Sequence, residues 1–268
     1  KVKELDGESD MFELEKATWL DVQVAAKVGE NFGSIVGPDF QRNEKGDILI
    51  DPQTGLPQYD KSNHVLGNAS WDWTGGLLTN FTYKNISLVA VFDVKVGADL
   101  YSMSARAAHE SGKSPETLAG RDAWYRSEEE RLAAGIAKGA DNWKPTGGFV
   151  APGVIDNGDG TYRPNDIYIN PEDYWMSVCR NAPSMFIYDN SYVKCRELTL
   201  SYNVPKSWLK NVISGLTVSF VARNPFIVWK NIPNIDPDSN YNNTTGMGLE
   251  YGSLPSRRSY GFNVNVKF

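Results

Sequence analysis

The sequence predicts an all-β fold of antiparallel strands, and three observations lead to this prediction. Residues 260–268 alternate strictly, with an apolar side chain at every second position up to the last residue, Phe268. Residues 86–96 keep one face apolar over eleven positions, which exceeds the usual strand of about five or six residues. Long and short connections follow one another along the chain. Each strand with one apolar face has to bury that face, either against a second sheet or in lipid.

Two architectures fit such strands: a soluble β-sandwich or barrel, and a transmembrane β-barrel. A tilted membrane strand needs about 9–11 residues, and the run at 86–96 matches this length. A sandwich would show a turn about every 8–12 residues, and this chain does not. Strand length and loop rhythm therefore favour strands of a large antiparallel transmembrane β-barrel with long loops at one mouth.

Composition excludes several classes of protein. The 268 residues are 41% hydrophobic and 22% charged, which is typical of a folded chain. A net charge of -6 with scattered basic residues argues against a nucleic-acid partner. The two cysteines and two histidines lack the spacing of a zinc site, and no catalytic constellation is visible, so an enzyme is not expected. Aromatic residues reach 12%, which fits membrane girdles or sugar-stacking surfaces.

The early part of the chain predicts turns and hairpins rather than core. Within residues 39–66, two turns at 43–47 and 51–57 are rich in Asn, Asp, Gly and Pro. An acid-rich turn can bind calcium, but the spacing does not match an EF-hand loop, and a plain turn is the favoured interpretation.

A hairpin with a minimal turn at Asn85 is predicted next, from the alternation of 77–83 and 86–96. Asp93 and Lys95 lie opposite its apolar stripe. We expect them to line a watery lumen, because a lysine that faces lipid near the midplane costs about 2–4 kcal/mol.

Residues 97–190 then form a first long loop, of a length that is usually functional. One helix is predicted over 116–138, with residues 128–131 on its solvated face. The loop carries several aromatic residues that are candidates for stacking on a ligand, and that would otherwise pack the loop's own small core. They are Trp124, Trp143, Tyr174 and Trp175.

Strands resume at Tyr192, where simple alternation groups Lys194 and Arg196 with Leu198. A short connection near 206–214 leads to a further alternating run at 216–222, and a second long loop at 231–257 precedes the closing strand. In that loop Asp236, beside Asp238 and Asn240, is interpreted as part of a solvated turn or, alternatively, of a cation site.

Several stretches together carry a resemblance to a known family. They are 33–37, 67–77, 81–85, 189–205, 223–226, 233–238 and 254–262. The stretch 189–205 contains an aspartate, Ser-Tyr-Val, Arg-Glu, Leu-Ser-Tyr and a proline in that order. This ordered set resembles the C-terminal portion of SusC/RagA-type, TonB-dependent outer-membrane transporters of Bacteroidetes. Pro225 departs from the pattern, because the family usually has an apolar residue there.

The resemblance implies that residues 1–268 supply the C-terminal strands of a barrel that has 22 strands in the intact family. The plug domain, the earlier strands and the segment that contacts TonB would lie upstream. It further implies import of an oligosaccharide or a peptide across the bacterial outer membrane, with a SusD-like surface lipoprotein as lid. No cofactor is implied, apart from a loop calcium ion as an alternative. Candidate contacts to lid or substrate are Trp124, Trp143, Tyr174, Trp175 and Asp236.

The closing strand also resembles the C-terminal signal that the outer-membrane insertion machinery recognises in its clients. The residues of this signal are Gly261, Phe262, Val264, Val266 and Phe268. The main rival is a soluble, secreted carbohydrate-binding β-domain, which explains the aromatics but not the eleven-residue strands. A glycoside hydrolase fragment would need two opposed carboxylates, which the sequence does not pair.

Overall fold

The computed structural model describes residues 1–7, 9–17, 22–209, 213–242 and 244–268, and within them the chain is mostly β-structure. The strands are β1 Met11–Ala17, β2 Val22–Lys27, β3 Ser34–Phe40, β4 Tyr59–Asn68, β5 Trp73–Tyr83, β6 Ile86–Val96, β7 Asp99–Ser102, β8 Val154–Asp156, β9 Tyr162–Pro164, β10 Ile187–Asp189, β11 Tyr192–Asn203, β12 Gly215–Lys230, β13 Leu249–Glu250 and β14 Ser259–Lys267. The helices are α1 Met103–Glu110, α2 Arg121–Ala133 and α3 Pro171–Asn181. The prediction of an all-β fold with helices confined to a long loop is confirmed, although that loop carries three helices rather than one.

Five long strands form one antiparallel sheet in the order β14-β12-β11-β6-β5. β5 and β6 join through the two residues Lys84 and Asn85, since Tyr83 pairs directly with Ile86. Lys84 has a φ of 52°, a left-handed conformation that a turn this tight requires. The minimal turn predicted at Asn85 is therefore confirmed. In the short connection at 206–214, residues 210–212 lie outside the described residues.

The two faces of this sheet differ sharply in chemistry. Directly opposed residues in an antiparallel pair share a face, so each register row has one character. One row across all five strands reads Phe81, Leu88, Leu200, Phe220 and Phe262. The adjacent row reads Thr82, Ser87, Ser201, Ser219 and Asn263. The apolar row remains open to the surroundings, with Phe81 67% and Phe262 79% exposed. A face of this kind requires an apolar medium or partner.

The polar face includes Asp93 and Lys95, as predicted from the alternation of β6, but the prediction for β11 was wrong. Against β6, Cys195 pairs with Phe92 and Glu197 with Val91, so Arg196 is an extra residue in a β-bulge. Against β12 the register also shifts here, with two residues, 224 and 225, opposite Arg196. One inserted residue inverts the alternation on its far side. Lys194 therefore lies opposite Asp93 on the polar face, and not with Leu198 on the apolar one.

Strands β1 to β4 form a second antiparallel sheet, which packs against the helices of the long loop. Phe40 and the 1%-exposed Ile50 belong to the same hydrophobic core as Val178 of α3. The turns predicted at 43–47 and 51–57 are present, but the prediction that residues 39–66 do not contribute to the core was wrong. Their apolar side chains are too few for a sequence pattern, and their partners come from far along the chain.

Residues 97–190 fold around α1, α2 and α3, and the predicted helix over 116–138 is shorter than expected. Pro115–Leu118 is a single 3-10 turn, and α2 begins only after Gly120, whose φ of 79° is left-handed. The interpretation of 128–131 as solvated was wrong for Arg131, which is buried and bonds to Glu128 at 2.9 Å. Among the helices in the described ranges, none has the length and hydropathy needed to cross a membrane.

The second long loop, 231–257, packs onto the first. β13 pairs in parallel with β7, which in turn pairs with β10. The buried Glu250 carboxylate accepts hydrogen bonds from Ser102 Oγ at 2.9 Å and from the Ser104 backbone N–H at 3.0 Å. These donors lie at the N-terminus of α1, where a negative charge is favourable. The two long loops therefore form one packed region at one end of the five-stranded sheet.

Candidate functional site

A cluster of five charged side chains joins the polar face of the sheet to the loop 231–257. Its members are Asp93 of β6, Lys194 and Arg196 of β11, and Asp236 and Asp238 of the loop. Lys194 Nζ lies 2.6 Å from Asp238 Oδ2 and 3.1 Å from Asp236 Oδ1. Arg196 donates from Nη2 to Asp238 Oδ1 at 2.9 Å and from Nε to Asp93 Oδ2 at 3.1 Å. The bulge at Arg196 brings both cations to the same side.

This charged cluster is largely buried, with Lys194 only 2% exposed. Burial by itself would raise the pKa of Asp238, but hydrogen bonds from Arg196 and Lys194 outweigh burial and hold that pKa below its usual range. Burial also opposes ionisation of Asp236, and hydrogen bonds from Ser256 lower its pKa in the same way. The loop 231–257 is thus fastened to the sheet by ion pairs whose rupture costs about 3–5 kcal/mol when one partner is removed.

The charged cluster corrects both sequence interpretations of Asp236. Lys194 occupies the position that a bound cation would take beside Asp236 and Asp238, and the Asp236 side chain is buried rather than solvated. Across the part of the chain that the structure describes, no group of three or more His, Cys, Asp or Glu side chains is arranged to hold a metal ion.

A cavity of 260 Å³ lies among α1, α2 and α3, and we call it the Trp124 cavity. Trp124, Tyr125 and Trp175 supply its aromatic walls, while His109 and Arg121 supply polar groups. On the other side of Trp124 a wider cleft of 650 Å³ runs along α3. Trp124 lines both spaces, so its indole separates two candidate binding volumes.

The polar groups of the Trp124 cavity are held by the backbone around them. Arg121 donates from Nη2 to the Gly112 carbonyl at 3.0 Å and from Nε to the Thr117 carbonyl at 2.7 Å. His109 donates from Nδ1 to the Ala105 carbonyl at 2.8 Å, and its Nε2 lies 3.7 Å from Glu116 Oε2. The arrangement suits non-covalent binding of an amphipathic ligand through ring faces and fixed donors.

The predicted stacking residues divide between cavity and core. Trp124 lines the cavity, and Trp175 lines it with an otherwise buried ring that packs on His109 at 4.7 Å between centroids. Tyr174 lines neither space as a free ring face: it is 3% exposed and packs on Phe149 at 4.6 Å, in line with the alternative that these rings form the core of the loop. Burial raises the pKa of Tyr174 to about 12. Trp143 is half-buried and lines neither space.

The cysteine side chains do not add a reactive group to this region. Cys179 is buried in the core, and burial raises the pKa of its thiol to about 12. A thiol of this kind stays protonated and is a poor nucleophile.

The chain is similar to known proteins in part of its sequence and in its fold. No family model matches this chain. A "TonB-dependent receptor P3" of Formosa agariphila is 33% identical over 95 residues, which cover 33% of this chain and 10% of that protein. The structure of the RagAB peptide importer in the "closed-closed" state matches 99% of this chain with a TM-score of 0.59 and 16% identity. The chain therefore has the fold of part of a SusC/RagA-type barrel.

Two further structures support the same assignment of this SusC/RagA-type barrel. The RagAB peptide transporter matches with a TM-score of 0.55 and 16% identity, and the "open-open" state of the RagAB importer with 0.52 and 17%. Each match covers 99% of this chain but only 25–26% of the solved chain. The chain thus spans about a quarter of the solved chains, and 10% of the curated relative.

The fold explains why the apolar face of the five-stranded sheet is exposed. Transporters of this type are outer-membrane proteins, so the row that contains Phe81 and Phe262 faces lipid and the row that contains Ser201 faces the lumen. The resemblance found in the sequence motifs and the expected outer-membrane location are both confirmed.

Proposed function

We propose that the protein containing this chain imports a nutrient, an oligosaccharide or a peptide, across the outer membrane. TonB drives the import, and a SusD-like lipoprotein closes the barrel as a lid. The main support is the match of 99% of the chain to a RagAB peptide importer, together with the stretch that is 33% identical to a TonB-dependent receptor. The plug domain and earlier strands belong to the remainder of the protein. The whole protein transports its ligand and carries out no covalent chemistry on it.

In this proposal the packed region formed by 97–190 and 231–257 lies at the extracellular mouth. The ligand contacts the Trp124 cavity, where ring faces and fixed donors fit either a sugar or a peptide side chain. The charged cluster holds the second loop against the lumen wall while ligand passes.

The lid contact is proposed on the outer surface of α2 and the turn before it. Leu118, Tyr125 and Leu132 are spaced seven residues apart and all are strongly exposed. The spacing of Tyr125 and Leu132 places both on one side of α2, and Leu118 lies in the 3-10 turn before that helix. Exposed apolar groups of this kind suit a protein partner. A SusD-like lipoprotein that covers this stripe would also close the opening of the Trp124 cavity.

The test uses the full-length protein in cells whose own copy is deleted. Growth on one class of oligosaccharide or peptide is expected to fail in the deletion strain and to return with the unmodified gene. Trp124→Ala should raise the ligand concentration for half-maximal uptake about five- to tenfold, because one stacking contact is lost. Tyr162→Ala, in the separate β8–β9 hairpin, is the matched control.

Normal growth of the deletion strain on every nutrient would contradict the proposal. A full-length protein that stays monodisperse in buffer without detergent and binds sugar would favour the rival, a soluble carbohydrate-binding β-domain. The exposed apolar row of the sheet argues against that outcome.

A further inference from the structure

A third space, separate from the Trp124 cavity, lies between the end of β12 and the loop 231–257. We call it the Lys230 cleft; its volume is 580 Å³. It lies on the lumen side of the sheet, because Lys194 and Ile227 both line it and are directly opposed on the polar face. Three cations line the cleft, Lys194, Lys230 and Arg258, against a single carboxylate, Asp236.

The charges of the cleft do not balance. Lys194 is compensated within the charged cluster, with Asp236 and Asp238 both in ion-pair contact. Lys230 donates from Nζ to the Ile235 carbonyl oxygen at 2.6 Å, and no carboxylate of the described residues pairs with it. Arg258 is exposed and has no hydrogen bond or ion pair within the ranges that the structure describes. Two positive charges are therefore available to a ligand.

The remaining lining groups fit a negatively charged organic ligand rather than a metal complex or a cation. Asn224 and Asn234 offer amide donors beside the two cations. Phe226, Ile227 and Pro255 supply apolar surface that a carbon skeleton could contact. Lysine and arginine bind carboxylates through charge-assisted hydrogen bonds that are about twice as strong as neutral ones.

We propose that the Lys230 cleft binds a carboxylate group of the imported ligand, with Lys230 and Arg258 donating to its oxygen atoms. The inference rests on the proposed function, because it assigns a charge to the ligand that the barrel imports. The carboxylate belongs either to a uronic acid of an oligosaccharide or to a peptide, and the two sources share the same recognition chemistry.

The test measures binding by calorimetry to the full-length protein, purified in detergent, with two matched pairs of probes. One pair is an oligogalacturonide and its neutral galacto-oligosaccharide counterpart; the other is a peptide with a free C-terminus and its C-terminal amide. We expect the acid of one pair to bind about tenfold or more tightly than its neutral partner, and this preference to weaken with added salt.

The variants remove one charge at a time. Lys230→Gln and Arg258→Gln should each lower the acid preference about tenfold, and Lys230→Arg should retain it. Lys84→Gln, at the tight turn on the opposite end of the sheet, is the control and should leave the preference unchanged. Arg258→Gln keeps the test valid even if Lys230→Gln disturbs the loop, because the Arg258 side chain is exposed and makes no hydrogen bond or ion pair with the described residues.

The outcomes separate the cleft from the wider proposal. No acid preference in either pair, or an unchanged preference in both Lys230→Gln and Arg258→Gln, overturns the carboxylate site. A preference confined to one pair supports the site and identifies the source. Binding with the expected preference but without uptake in cells contradicts import while leaving the carboxylate site intact.

Discussion

The five-stranded sheet and the packed loop region use the same aromatic residues in opposite ways. In the sheet, Phe81 and Phe262 project outward and the inner row of hydroxyl and amide side chains is polar. In the loop region, Tyr174 and Phe186 are buried in the core, and most charged side chains apart from Arg106, Arg131 and Glu250 are not buried. One region is inverted with respect to the other although they are consecutive in the chain.

A hydrophobic pattern therefore indicates that one face of an element is apolar, but not whether that face points into the protein or outward to lipid. Burial against protein and exposure to lipid both remove apolar surface from water. The direction follows from what surrounds each region, lipid around the sheet and water around the loops. The charged cluster sits where the two regions meet.

The largest effect is expected at this junction. Lys194→Met in the full-length protein should lower the free energy of unfolding by about 3–5 kcal/mol, because Asp236 would remain buried without its partner. Lys84→Met, at the exposed tight turn, should change it by no more than about 0.5 kcal/mol. Urea titration of the protein refolded into lipid vesicles measures both, and equal effects would show that the junction does not hold the two regions together.

A somewhat smaller effect should distinguish the two faces of the sheet. Leu198→Lys places a charge on the apolar, lipid-facing side of the sheet and should lower the stability of the barrel by about 2–4 kcal/mol. Thr199→Lys, at the next position, points into the lumen and should lower it much less. The amount of folded, heat-modifiable barrel in the outer membrane reports the difference. Similar losses in both variants would argue that the apolar row does not face lipid.

Deletion of Phe268 should reduce insertion of the barrel several-fold while leaving ligand affinity nearly unchanged. The terminal aromatic ends the apolar row of β14 and matches the signal for the insertion machinery, but it lies far from the Trp124 cavity. Phe268→Tyr is the conservative control. Surface levels measured by antibody labelling would contradict this prediction if the deletion variant reached normal amounts.

The smallest effect at neutral pH is expected for the contribution of Asp238 to stability, which changes only in acid. The pKa of Asp238 is lowered in the folded protein by Arg196 and Lys194. Its contribution to stability is therefore complete above the unfolded value of about 3.9 and is lost as the pH falls toward the folded value. Cleavage of the loop 231–257 by an acid-active protease should increase below about pH 4 in the unmodified protein. Asp238→Asn should weaken this pH dependence, and the part that remains is due to Asp236, whose pKa is also lowered.

Local patterns were enough to predict much of the sheet. The hairpin at Lys84 and Asn85, the long strand β6 and the lumen side of Asp93 follow from a period of two and a short turn, which depend on neighbouring residues only. The closing strand at 259–267 follows in the same way. The motifs at 189–205 added the family resemblance.

The candidate site was only partly visible in the sequence. Trp124 was identified from residue type and from its position in a long loop. Lys194 and Asp236 were seen separately, but their pairing joins residues 42 positions apart, and no local signal predicts such a contact. The charges on both sides of Cys195 in strand β11 were the one local signal that its alternation is interrupted.

From the sequence one can predict which residues alternate, where the tight turn lies and that each long strand has one apolar face. These properties are local, because backbone geometry sets the period of a strand. Only the tertiary structure decided that the bulge at Arg196 turns Lys194 toward the lumen, and that Ile50 and Tyr174 share a core. Those outcomes depend on register and on contacts between distant segments, whose free energies exist only once the chain has closed the loops between them.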